Sequence, residues 1–95
     1  MSQIIYTDEF INDFERLYEF LSENNPIAAQ KLAIILEEKL DLLYTIPKAF
    51  AYFGEFRLYL LQFGSSGYAI LYDYNEESDI IILLRMKHQK EAGFA

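Results

Sequence analysis

Asp79-Ile80-Ile81-Ile82-Leu83-Leu84-Arg85-Met86-Lys87-His88-Gln89-Lys90 is the stretch on which the reading of this chain turns. Its first half is a β-rich apolar run, and it predicts a buried final strand. Its second half gathers scarce charge. Three of the eight Lys and Arg residues and the single His fall between Arg85 and Lys90. A strand that ends in concentrated positive charge on an acidic molecule describes a binding or catalytic edge. It equally describes a solubilising tail, so the rest of the chain has to weigh the two.

Working back from that strand, Asn75-Glu76-Glu77-Ser78 reads as a turn, and Tyr68 to Tyr74 as the strand before it. Gly64-Ser65-Ser66-Gly67 is rich enough in glycine to close a hairpin onto Phe56–Phe63, another strand. Strand alternation places Arg57, Tyr59, Leu61 and Phe63 on one face of Phe56–Phe63. In the last strand the same rule sets Arg85 and Lys87 on a face with Ile81 and Leu83, with Met86 on the other side. Short turns imply an antiparallel meander of three strands.

The first half is helical. Gln3-Ile4-Ile5-Tyr6 is a short β-rich run, and Thr7 then suits an N-cap, followed by Asp8 and Glu9 at the positive end of a helix dipole. Phe10, Phe14, Leu17 and Leu21 recur at helical spacing, while Asp13, Glu15, Arg16, Glu19 and Glu23 fall to the polar side. Asn25 is an N-cap for a second helix with Pro26 at its first position. Ala29, Leu32, Ala33, Leu36, Leu40 and Leu43 form its stripe, and Ile46-Pro47 stops it near Tyr44. The order β-α-α-β-β-β makes an α+β fold. It is a two-layer domain with a helical hairpin packed on one face of a largely antiparallel sheet. Residues 1–95 are too few for two cores, so they form one domain.

Composition narrows the chemistry. Hydrophobic residues make up 53 % and aromatics 17 % of the chain, which excludes intrinsic disorder. There is no Cys, so disulfides, thiolate chemistry and finger-type zinc sites are excluded. With one His there is no paired-histidine site, and no metal site or cofactor is expected. No apolar run approaches a membrane span and no secretory leader is visible, so the expected setting is cytoplasmic, without a membrane partner. Net charge is −7. Nucleic-acid binders gain most of their affinity by neutralising phosphate, so this balance disfavours direct nucleic-acid binding.

The candidate site is therefore Arg57, Arg85, Lys87, His88 and Lys90, with Tyr59 beside Arg57. Such a group holds a phosphate or carboxylate through forked Arg contacts and a titrating His. Three readings stay open: Arg57 paired with a nearby acid and a solvated Lys87–Lys90 tail; a surface for a protein partner; and nucleolytic chemistry. Tyr59, Tyr68, Tyr72 and Tyr74 suit the core and its rim, or an interface.

The element order, Phe56-Arg57-Leu58, Gly67-Tyr68-Ala69-Ile70-Leu71-Tyr72 and Ile82-Leu83-Leu84-Arg85-Met86-Lys87-His88-Gln89-Lys90-Glu91-Ala92-Gly93-Phe94 resemble the RelE/ParE toxin superfamily of type II toxin–antitoxin modules. The ending Lys87-His88-Gln89-Lys90-Glu91-Ala92-Gly93-Phe94 is closest to its ParE, or plasmid-stabilisation, branch. The resemblance covers nearly the whole chain. It implies a toxin silenced by a cognate antitoxin. In the ParE branch that toxin acts by binding DNA gyrase, without turnover. In the RelE branch it implies ribosome-dependent mRNA cleavage, for which Arg57, Arg85, Lys87 and His88 are the catalytic candidates. As a binding toxin, Arg57, Tyr59, Arg85, Lys87, His88 and Lys90 are its expected contacts with target and antitoxin. A non-toxic interaction module, with its apolar sheet surface used for a homodimer, is a further alternative.

Overall fold

The computed structural model describes residues 3–94. Its elements run β1 (Gln3–Tyr6), α1 (Asp8–Asn24), α2 (Pro26–Thr45), β2 (Tyr52–Phe53), β3 (Phe56–Phe63), β4 (Ser66–Asn75) and β5 (Ile80–His88). The expected α+β order is present with one addition. β2 is two residues long, too short to carry a periodic signal, and it pairs with the start of β3.

Both expected caps form. Thr7 Oγ accepts from the Phe10 N–H at 3.2 Å and donates to the Leu83 carbonyl at 2.7 Å, so one hydroxyl caps α1 and stitches it to β5. Asn25 serves two helices at once. Its N–H donates to the Leu21 carbonyl, ending α1, and its side chain accepts from the Ala28 N–H, starting α2. A joint of one residue folds the two helices back on each other.

The sheet order is β1-β5-β4-β3-β2, with β1 parallel to β5 and the other neighbours antiparallel. The chain's first and fifth strands are thus partners, and β1 is one edge of the sheet. Phe10 and Leu17 of α1 and Leu32, Leu36, Leu40 and Leu43 of α2 close over Tyr59, Leu61, Ile70, Tyr72, Ile81, Leu83 and Met86. Three of the tyrosines, Tyr59, Tyr68 and Tyr72, are therefore core. Tyr74 is half-buried with its hydroxyl on Asp79. No helix is long and apolar enough to cross a membrane among the described residues.

Candidate functional site

A β-bulge reorganises the basic cluster. Leu71 pairs with Arg85, but the next residue, Tyr72, pairs with Leu83, so Leu84 has no partner on β4. One extra residue reverses the alternation beyond it. Met86 therefore joins Ile81 and Leu83 in the core, while Arg85 and Lys87 leave that face, contrary to the unbroken alternation expected from sequence. β5 runs on to His88, so Arg85, Lys87 and His88 all lie within the strand.

β1 ends opposite Leu83, and past that point α1 borders β5. Asp13 on α1 occupies the position a strand would otherwise fill. One carboxylate oxygen accepts from the Met86 N–H at 2.9 Å and from Arg85 Nε at 2.7 Å; the other accepts from Arg85 Nη2 at 3.2 Å. The Asp13 side chain was expected on the solvated face of α1, and it is instead 9 % exposed. Burial works against its charge, but the Arg85 and Met86 hydrogen bonds and the Arg85 and Arg16 charges outweigh burial and hold the carboxyl below its usual range. The same hydrogen bond to Asp13 raises the Arg85 guanidinium. Arg16 extends the line, 3.9 Å from Asp13 and 3.1 Å from Glu91. Glu91, Arg16, Asp13 and Arg85 thus alternate in sign along the seam between α1 and β5.

Arg57 lies elsewhere. On β3 it donates to the carbonyls of Lys48 and Phe50 and to the Tyr52 hydroxyl, and it stacks 4.1 Å from the centre of the Tyr52 ring. Its cross-strand neighbour Tyr72 donates to the Pro47 carbonyl at 2.6 Å. Together they fasten the segment between α2 and β2. Tyr59 is 7 % exposed and meets Phe50 edge-on, so its ring is core and not surface.

His88 stands edge-on to Tyr68, with Nε2 3.2 Å from Ser66 Oγ and Nδ1 accepting from the Lys90 N–H. That acceptor role places the proton of the neutral ring on Nε2. Lys87 is turned the other way. Its ammonium donates to the Glu91 carbonyl and sits 5.5 Å from the Phe94 ring, which packs against Phe53. Lys90 is exposed, and its ammonium has no ion-pair partner among the described residues.

Between the second half of α1 and the β3–β4 hairpin lies a cleft of about 670 Å³. Leu17, Phe20, Leu21, Phe63 and Tyr68 make its apolar walls, and Arg16, Ser66, His88, Lys90 and Glu91 its polar rim. Phe20 is 69 % exposed at its mouth. Apolar walls with a few polar groups at the edge describe a site for a side chain or small apolar group. Of the basic candidates only His88 and Lys90 reach it, and of the tyrosines only Tyr68. Arg16, Phe20 and Glu91 were not candidates. A sequence signal for Asp13 did exist, since it stands three residues after Phe10 and four before Leu17, inside the apolar stripe. Among the described residues no group of three or more His, Cys, Asp or Glu side chains is placed to hold a metal.

The architecture is that of the RelE/ParE toxins. The intact RelBE toxin–antitoxin complex of E. coli contains a chain that superposes with a TM-score of 0.63 at 14 % identity, covering 96 % of this chain and 100 % of that one. No curated protein sequence matches. The family model for the ParE toxin of the type II toxin–antitoxin system parDE matches residues 4–93. The chain therefore belongs to the ParE toxin family.

Proposed function

We propose that this toxin stops growth by binding a protein, DNA gyrase in keeping with its family, and that a cognate antitoxin silences it by covering the same surface. One observation carries this choice over RNA cleavage. Arg57, Arg85, Lys87 and His88 do not converge. Arg57 is bound to the α2–β2 segment, Arg85 to Asp13, Lys87 to the Glu91 carbonyl, and His88 faces Ser66 and Tyr68. Phosphoryl chemistry asks for cations and an acid–base pair around one phosphate. Here the cations are distributed among internal partners, and a net charge of −7 opposes approach to a polyanionic ribosome. What is left open to a partner is an apolar cleft with Lys90 and His88 at its rim. That chemistry suits an apolar side chain with an acid beside it. The setting is the cytoplasm, where gyrase works.

The test is induced expression with and without the product of the adjacent reading frame, combined with a supercoiling assay on purified gyrase. Growth arrest relieved by the neighbour, inhibited supercoiling and intact transcripts are expected. Normal gyrase activity together with codon-positioned mRNA cuts would replace this proposal with RNA cleavage.

A further inference from the structure

Tyr68 carries a hydroxyl that the fold does not use. The residue is 5 % exposed, with its ring edge-on to His88 at 5.2 Å and tilted against Phe63 at 6.0 Å. Its oxygen has no hydrogen-bond partner among the described residues, whereas the hydroxyl of Tyr72 donates to the Pro47 carbonyl. Among those residues no side-chain oxygen sealed from solvent lacks a partner, so the Tyr68 hydroxyl opens to solvent. The opening is the cleft between α1 and the β3–β4 hairpin, which Tyr68 lines. Burial raises its phenol, and the charge of Glu91 at the rim of the same cleft raises it further, in keeping with an oxygen on that side of the ring.

The mouth of the cleft carries positive charge on a molecule of net charge −7. Arg16 and Glu91 answer each other at 3.1 Å, and the Lys90 ammonium is left without an ion-pair partner among the described residues. His88 has both ring nitrogens engaged, on Ser66 and on the Lys90 N–H. What the cleft offers is thus one cation at the mouth, one hydroxyl within, and the rings of Phe20, Phe63 and Tyr68 around an apolar space of about 670 Å³. A purely aliphatic acid would satisfy the cation but cover the hydroxyl unpaired, which costs binding. An aromatic acid with a polar ring edge satisfies both, and its ring suits aromatic walls in offset or edge-on contact.

We propose that the cleft binds a small aromatic carboxylate whose ring carries an N–H or O–H, an indole or phenol with its acid on a short tether. The ring N–H or O–H donates to the Tyr68 oxygen, the ring lies among Leu17, Phe20 and Phe63, and the carboxylate meets Lys90. A cavity of this volume, with apolar walls and a few placed polar groups, is the form that small-molecule sites take. The site holds whichever target the toxin binds, and its test reads binding rather than toxicity.

The chain has no Trp, so the emission of an added indole reports only the indole's own surroundings. The full chain, made by cell-free synthesis with isotope labels, is titrated with indole-3-propionate and followed by fluorescence and NMR. Saturable, blue-shifted emission with a Kd at or below about 1 mM is expected, with amide shifts confined to the second half of α1, the β3–β4 hairpin and the end of β5. Tyr68→Phe keeps the ring and should weaken binding about threefold to tenfold. 1-Methylindole-3-propionate, which lacks the ring N–H, should bind the wild type more weakly and Tyr68→Phe no differently from the wild type. Lys90→Gln, or indole-3-propionamide in place of the acid, should each lose about twofold to fivefold. Lys31→Gln, the same charge change at an exposed site on α2, should leave binding unchanged. Absence of saturable binding to the folded wild type overturns the proposal. So do shifts centred away from the cleft, a Tyr68→Phe protein that binds the indole acid as tightly as wild type, or a methylated indole that binds the wild type as tightly as the parent.

Discussion

Asp13→Asn tests the seam between α1 and β5. The carboxylate takes three hydrogen bonds, two from the Arg85 guanidinium and one from the Met86 N–H. Asn keeps the one oxygen that serves both Met86 and Arg85 Nε, now uncharged, but turns its NH₂ toward Arg85 Nη2, so one charge-assisted bond is lost and the other is weakened. Hydrogen bonds to charged groups contribute about 1.5–3 kcal/mol each. The Arg85 side chain is 27 % exposed and regains water in the variant, so the net loss is nearer about 2–3 kcal/mol in all. For a domain of this size that lowers Tm by about 10–20 °C. The assay is thermal unfolding followed by circular dichroism from pH 3 to 8. Because the folded-state pKa of Asp13 is depressed, its contribution is fully present above the unfolded value of about 3.9 and disappears as pH falls through the lower folded value. The gap between wild type and variant should therefore be flat from pH 5 to 8 and close only in strong acid. Asp13→Leu combined with Arg85→Met should return to within about 2 kcal/mol of wild type, since a buried pair replaced as a unit leaves no stranded charge. A Tm for Asp13→Asn within about 3 °C of wild type at pH 7 would refute this account of the seam.

Three further outcomes are expected. Gly67→Ala brings a Cβ to 2.8 Å from the Leu61 carbonyl oxygen, which is backbone, so it should lose about 1–3 kcal/mol in denaturant unfolding. Tyr72→Phe removes the bond to the Pro47 carbonyl and should lose about 1 kcal/mol at neutral pH. Burial pushes the Tyr72 phenol to about 12, slightly opposed by Arg57, so its contribution is intact below the unfolded value of about 10 and lost as pH rises toward 12; the gap to Phe should narrow over that alkaline range. Arg57→Ala should loosen the α2–β2 segment by about 1–2 kcal/mol while leaving growth arrest intact at a permissive temperature; loss of toxicity in a folded Arg57→Ala protein would favour a direct role for that side chain.

The helices were legible because their signals are local. Thr7 and Asn25 are the caps, and the stripe from Ala29 to Leu43 is buried but for Ala33 at its margin, as its spacing indicates. The features that escaped a sequence reading depend on contacts between distant residues. β2 is two residues held by the start of β3. The bulge at Leu84 is set where β5 loses β1 on one side and adapts to α1, and nothing in Leu83-Leu84-Arg85 marks that place. Asp13 looked solvated because an acid on an amphipathic helix is usually surface; its partners lie more than seventy residues away. The site suffered most, since a single shift of parity moved Arg85 and Lys87 off the core face.

The same shift explains why an acidic toxin retains a basic ending. A cluster of four basic residues in sequence becomes, in space, one cation fixed on α1, one lysine under Phe94, one histidine against Tyr68 and one lysine without an ion-pair partner among the described residues. Arg85 does more for the join of helix to sheet than for any ligand, because its charge is answered by Asp13 before a partner arrives. Recognition then cannot rest on a strong positive field, which on this chain would have to overcome a charge of −7. Under the proposed function it rests on shape and apolar contact at the cleft, with Lys90 supplying orientation. Affinity built that way is insensitive to salt, whereas phosphate recognition weakens steeply as salt rises. Binding to a protein target should accordingly persist at ionic strengths that dissociate RNA from a basic site, and a complex lost on moving from low to moderate salt would contradict the division of roles among Arg85, His88 and Lys90.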